Sequence, residues 1–314
     1  MFVYILARIV AVIPVLFIAS VFVFSVLHLI PGDPVDALLG DLQDPIVREA
    51  LKKDLGLDKN LVVQYGIWMW KVLHLDFGVS IRSQMYVKDE LYGRLPRTIY
   101  LSFVSIIIST LLAIPAGVIA AVHRKTLRDY IAQVWAVLGI SMPSFWFGIL
   151  LMLLFSLYLR WLPTSGYVSP SEDFWLSLRH LFMPALTLGW ILSASITRLT
   201  RSTMLDELSK DYVRTAKSQG IPERTIQYKL ALKNAMIPVT TILGLRFAGL
   251  LGGTAVIEQL FNWPGVGSLV VQAIYFRDYP VVQASILNLA IAFVFMNLVV
   301  DILYKWLDPR IRLQ

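Results

Sequence analysis

Asp211-Tyr-Val-Arg-Thr-Ala-Lys-Ser-Gln-Gly220, continued by Ile221-Pro-Glu-Arg-Thr-Ile-Gln-Tyr-Lys-Leu-Ala-Leu-Lys-Asn-Ala-Met-Ile-Pro238, is the longest polar interval in the second half of a strongly apolar chain. It lies between two segments that read as membrane spans, so whatever recognises it does so outside the bilayer. Lys210, Arg214, Lys217, Arg224, Lys229 and Lys233 outnumber its acids, and an excess of basic charge in a short loop marks the cytoplasmic side. Lys210 to Gln219 has no breaker and sets Tyr212, Val213 and Ala216 on one side at helical spacing. Gly220 suits the left-handed residue just past a helix end, and Pro222 suits the first turn of the next helix. That second helix carries Ile226, Leu230 and Ala231 inward and its lysines outward. The product is a helix, a sharp turn and a helix lying on the membrane surface, with small Ala216 and Gly220 leaving room for another backbone. Two readings of the open face stand: a docking surface for a partner chain, or an amphipathic loop resting on lipid headgroups.

The rest of the chain sets this loop in a membrane. Of 314 residues, 57% are hydrophobic and 16% charged, and the mean hydropathy is +0.67, a membrane composition. The formal charge of +7 gathers beside the spans, where orientation and anionic lipid account for it, so nucleic-acid binding is set aside. The chain has no Cys, which excludes disulfides, thiolate metal sites and a Cys nucleophile.

Ile9 to Ile30 follows Arg8 and is too long for a signal-peptide core, so it reads as a retained first span with its N-terminus inside. His28 near its end reads as an interfacial side chain. Residues 31–97 are mixed in character and form an external cap, with amphipathic helices expected at Pro45 to Leu55 and at Gln64 to Leu75, the second resting at the interface through Tyr65, Trp68 and Trp70. Thr98 to Val122 is the second span, kinked at Pro115 and Gly117, and leads to the basic hairpin His123-Arg-Lys125. Tyr130 to Leu159 is the third, a tilted span with its ladder interrupted at Ser141-Met-Pro143. An outer connection over Arg160 to His180 precedes a short fourth span, Leu181 to Ile196. Its Ala185, Gly189, Ser193 and Ala194 suit close helix packing.

The fifth span, Ile237 to Ile257, holds Arg246 near its middle and ends in Glu258. A mid-span Arg costs about 2.5 kcal/mol or more unless it faces protein or water. Arg246 therefore faces a pathway or a subunit interface, or it pairs inside a packed helix bundle. Gln259 to Pro280 is an outer, re-entrant-looking loop. Val281 to Leu303 is the last span, with Asn288, Asn297 and Asp301 as its polar residues, and Lys305, Arg310 and Arg312 hold the C-terminus inside. The expected architecture is all-α and integral to the membrane, with six transmembrane helices. It divides into an N-terminal helix (1–30), a cap (31–97) and a five-helix core (98–314) that carries the loop at 200–235.

The loop resembles the EAA loop of the membrane subunits of binding-protein-dependent ABC importers, in its Ala216-x-x-x-Gly220 pattern and its following helix that ends at Pro238. Arg214-Thr215-Ala216 stands where that motif has Glu-Ala-Ala, and Pro238 comes later than usual; both departures match the branch that imports peptides and nickel. Leu55-Gly-Leu-Asp58, Gln64-Tyr65, Asp76-Phe-Gly-Val-Ser80, Arg94-Leu-Pro96, Phe261-Asn-Trp-Pro-Gly-Val-Gly267 and Arg277-Asp-Tyr-Pro280 resemble the same branch in the same order. The resemblance implies a type I ABC importer permease fold in a bacterial inner membrane. It assigns the two short helices as coupling helices that fit a cleft in an ATPase, through Tyr212, Arg214, Thr215, Ala216, Lys217, Gly220 and Pro222. Its implied partners are a second similar permease, two ATPase subunits and an external solute-binding protein, with ATP and Mg held by the ATPases and no cofactor or metal in this chain. Arg246, Glu258, Asn288 and Asn297 are the candidate pathway or interface residues. Asn234-Ala-Met-Ile-Pro238 and Phe261-Asn-Trp-Pro264 resemble glutathione and dipeptide permeases. Gln64-Tyr-Gly66, Leu73-His-Leu-Asp-Phe-Gly78 and Asp308-Pro-Arg-Ile-Arg312 equally resemble the nickel permease, so the cargo stays open between them, peptides first.

Other functional classes fit less well. The chain has no Gly-x-x-x-x-Gly-Lys-Ser/Thr loop to cradle phosphates, so energy from ATP has to come from a partner. The Gly139-Ile-Ser141 triplet is superficially like the serine motif of intramembrane proteases, yet His180 is expected in the outer connection and no later span supplies a base. A passive channel has no need of a helix-turn-helix surface shaped for a partner.

Overall fold

The computed structural model describes residues 2–29, 49 and 59–307. The expected helix Pro45 to Leu55 lies, Glu49 apart, outside them, as do Leu55-Gly-Leu-Asp58, Arg310 and Arg312. Apart from one isolated antiparallel bridge, Val79 to Tyr86, the regular structure of the described residues is helical. In chain order the helices are α1 (Phe2–Leu29), α2 (Leu61–Leu73), α3 (Val87–Val122), α4 (Leu127–Ser141), α5 (Ser144–Tyr158, π-helical from Met152), α6 (Phe174–Leu208), α7 (Asp211–Ser218), α8 (Glu223–Gly253), α9 (Ala255–Leu260), α10 (Val266–Tyr275) and α11 (Tyr279–Leu307).

Four described helices are long and apolar enough to cross a membrane: Val87–Val122, Phe174–Leu208, Glu223–Gly253 and Tyr279–Val300. A fifth span results if α4 and α5 count as one. The expected sixth is α1, a 28-residue helix whose described apolar segment, Val10–Ser25, is by itself shorter than a span.

The spans differ from their sequence outlines in instructive ways. The third is broken rather than tilted, because α4 and α5 meet at 108°. Pro143 lacks the N–H a continuing ladder needs and forces Met142 into extended backbone (φ −86°, ψ 129°). The second begins at Val87, inside what was expected to be cap, and continues without interruption through Pro115 and Gly117. Gly117 serves close approach instead: a Cβ there would lie 2.6 Å from Thr200 Cβ and 2.8 Å from the Thr197 carbonyl oxygen. The fourth is not short; α6 spans 35 residues, so His180 is helical and not in a connection. The fifth stops at Gly253 and Thr254, and Glu258 belongs to the separate helix α9.

The described residues form two compact units. One draws on Met1–Thr98 and Pro264–Val294, the other on Ile99–Trp263 and Phe295–Gln314. In the first, Tyr65 and Trp68 of α2 pack on Phe24 of α1, and the Tyr65 hydroxyl lies 2.8 Å from Ser20 Oγ. Asp278 is buried and accepts hydrogen bonds from Ser80 Oγ and from the backbone N–H groups of Ile81 and Arg82. Two separated stretches that carry the family resemblance, Asp76 to Ser80 and Arg277 to Pro280, are thereby one structure.

The second unit is built around α6. A Cβ at Gly189 would meet Ile108 Cγ2 and the Ser105 carbonyl at 2.9 Å, and one at Gly139 would meet Ala194 Cβ at 2.7 Å. The expected role of Gly189 and Ala194 in close packing is met, and it holds α3 and α4 against α6.

Candidate functional site

The interval at 211–226 folds as a compact knob. Helix α7 ends at a Schellman turn: Gly220 has φ +75°, its N–H donates to the Lys217 carbonyl, and the Ile221 N–H reaches back to the Ala216 carbonyl. Pro222 caps α8 from just outside its first turn. Val213 and Ala216 of α7 bury themselves against Ile226 of α8, with Tyr212 and Ile221 alongside. Ala216 is therefore buried within the knob, where its small side chain leaves room for α8. Leu230, expected inward, is exposed because the ladder is π-helical from Ile226 to Ala231, which shifts the inward face.

The knob is tied to two spanning helices. On the α8 side it continues directly into a spanning helix, Glu223 to Gly253, which is π-helical from Ile226 to Ala231. On the α6 side, the Tyr212 hydroxyl donates to Glu207 Oε2 at 3.0 Å, Lys210 Nζ pairs with Glu207 Oε1, and Asn234 Nδ2 lies 3.4 Å from the Tyr212 hydroxyl. Burial pushes the Tyr212 phenol above its ordinary pKa, so it remains a donor. Beneath the knob, Val118 and Ala121 of α3, Met204 of α6, and Ala231 and Ala235 of α8 form one buried cluster. The loop outlined at 200–235 is thus largely the ends of α6 and α8, and only 209–222 projects from them.

What the knob shows to its surroundings is Arg214, Thr215, Lys217, Gly220 and Pro222, all exposed. Arg214 lies 3.5 Å from Asp211, and Lys217 lies 3.3 Å from Glu223. These exposed pairs contribute little to stability, so the charges can be given up to a partner.

Sequence reasoning missed the strongest polar joint in this unit. Asp129, at the start of α4, is almost wholly buried and takes a bidentate pair from Arg201 of α6, at 2.7 and 2.8 Å, together with bonds from Lys125 N and Gln133 Nε2. Its only signal was an acid directly after a basic hairpin, at the first turn of a helix. The four candidate pathway residues lie on three helices, α8, α9 and α11. Glu258 is fully enclosed within this chain, on α9, and accepts from Thr254 Oγ1 at 2.9 Å. Asn288 and Asn297 are half-buried on α11. Arg246 is exposed on α8.

Comparison with known proteins bears on this arrangement. Residues 113–313 match the family described as binding-protein-dependent transport system inner membrane component, and residues 1–102 match the family of its N-terminal portion. The glutathione transport system permease protein GsiC of Escherichia coli (strain K12) is 43% identical over 309 residues, covering 98% of both chains. The protein of the same name from Salmonella choleraesuis (strain SC-B67) is also 43% identical over 98% of each chain. Among solved structures, an inward-facing conformation of the MetNI methionine ABC transporter superposes with a TM-score of 0.57 at 16% identity, over 69% of this chain and 95% of that one, a likeness of fold.

Proposed function

Because this chain belongs to the family of binding-protein-dependent transport system inner membrane components, we propose that it is the membrane-spanning subunit of an ATP-driven importer in a bacterial cytoplasmic membrane, carrying peptides of the glutathione class inward. It works beside a second, similar permease, two ATPase subunits and an external solute-binding protein. All six helices of the outline cross the bilayer, and both termini face the cytoplasm.

The observation that carries this reading is the knob at 211–226, exposed at its tip and locked at its base. A force applied to Arg214, Lys217 and Gly220 passes through the buried contact of Val213 and Ala216 with Ile226 into α8, and through Tyr212 and Glu207 into α6. Closure of the ATPases then moves α6 and α8 together, and the spans reorient to open the pathway to one side at a time. A loop that only rested on lipid would gain nothing from a backbone-closed turn held at both ends.

Isolation of the tagged chain from its native membrane tests the assembly. An ATPase and a second permease are expected to co-elute, and elution of the chain alone overturns the proposal. Uptake of labelled glutathione, a dipeptide and nickel by cells with and without the chain then fixes the cargo. Loss of nickel uptake alone would overturn the peptide assignment.

A further inference from the structure

Helix α8 has one open face. Leu245, Arg246, Gly249, Gly252 and Gly253 are exposed along it, and a Cβ at Gly249, Gly252 or Gly253 would meet nothing within 4 Å. The Arg246 side chain makes no hydrogen bond or ion pair with any described residue. The packed-interior reading, in which this guanidinium pairs with a carbonyl or acid of its own bundle, therefore fails among the described residues.

Depth decides what the face can meet. Arg246 precedes the helix end at Gly253 by about 10 Å and follows Lys233 by about 20 Å, taking 1.5 Å per residue. In an α-helix the Cα–Cβ bond leans toward the N-terminus, so the side chain points away from the nearer end and into the apolar depth. Escape to the close interface runs against that direction. Facing lipid would cost about 2.5 kcal/mol or more, and bare glycine backbone gives lipid tails little surface to pack on. A face of one cation and three open glycines suits a polar solute sliding past.

We propose that Arg246 lines the translocation pathway and recognises the carboxylates of the cargo, making this face of α8 the specificity-determining wall. The assignment rests on the peptide-import reading given above. Glutathione carries more carboxylate than ammonium charge at neutral pH, and a guanidinium binds a carboxylate through two parallel hydrogen bonds that a free metal cation cannot accept. The glycines let the cargo's backbone approach closely while the charge holds it.

Two measurements on the assembled complex test this. With glutathione and a dipeptide amide, whose carboxylate is capped, as paired cargoes, Arg246→Gln should lower the ratio of glutathione to amide uptake on the order of tenfold, the size of a lost charge-assisted bond, with complex yield retained. Arg246→Lys should keep most of the ratio. An unchanged ratio, or equal loss of both cargoes with loss of complex, overturns the proposal and marks a contact between subunits. Independently, Arg246→Cys in this Cys-free chain should react with a membrane-impermeant anionic methanethiosulfonate, and absence of labelling with and without ATP overturns the pathway position. If the unaltered complex imports neither cargo while the cysteine is labelled, the peptide reading falls and the pathway assignment stands.

Discussion

At Leu75, Asn262 and Arg277 the backbone turns left-handed, with φ of 58°, 49° and 54°, and each follows a helix by the same pair of returning bonds that Gly220 makes after α7. Leu75 N and Asp76 N donate to the Val72 and Lys71 carbonyls, Asn262 N and Trp263 N to those of Gln259 and Glu258, and Arg277 N and Asp278 N to those of Ile274 and Ala273. Non-glycine residues there carry a strain of about 1–2 kcal/mol. Arg277→Gly, at an exposed position, should therefore raise stability by about 0.5–1 kcal/mol, seen as a higher melting temperature of the purified complex. The reverse holds at Gly220: Gly220→Leu adds that strain at the tip of the knob and should abolish solute-stimulated ATP hydrolysis while the subunit stays in the membrane. Normal stimulated hydrolysis would remove the turn from the coupling path. Gly220 was legible because glycine declares a left-handed residue. Leu75 and Arg277 were not, since their side chains say nothing of φ and only the bonds around them do.

Among the elements, the third span shows what a sequence outline can and cannot deliver. Pro143 located the break, but its 108° angle depends on what α4 and α5 pack against: Trp135 and Phe147 on either side of the break both contact Trp190 of α6. Helix lengths were underestimated for a different reason. Hydropathy measures the bilayer, whereas α6 continues past it through Arg198, Arg201 and Glu207, which are polar yet helical, the last two buried in part by their neighbours. The joint of Asp129 with Arg201 was hidden because its partners lie far apart in sequence. Asp129→Ala should destabilise the assembled permease by about 1–3 kcal/mol, less than a fully buried pair because Arg201 is partly exposed. The double exchange Asp129→Arg with Arg201→Asp should recover part of that loss, measured by urea or thermal unfolding of the complex. No recovery would mean that the pair acts only through packing.

For the whole chain, charge bias outlines a topology that cysteine labelling can read without background. Lys125→Cys and Lys217→Cys should react only from the cytoplasm, and Glu172→Cys and Arg277→Cys only from outside; labelling of Lys217→Cys from outside in intact cells would overturn the orientation. The family was legible from motifs because they sit at helix stops and at buried contacts such as Asp278 with Ser80, where geometry narrows the choice of residue. The cargo was far less so, because stretches like those of glutathione and dipeptide permeases stand beside stretches equally like those of the nickel permease. The knob carries a consequence of another kind. Its shape is fixed by the Gly220 turn and by the buried Val213, Ala216 and Ile226, so the rest of its exposed rim is free to drift. Arg214 and Thr215, both exposed, can change without moving Ala216. Over evolutionary time such a plug can exchange one motor for another by changing only its outer residues, while the transmission behind them stays as it was.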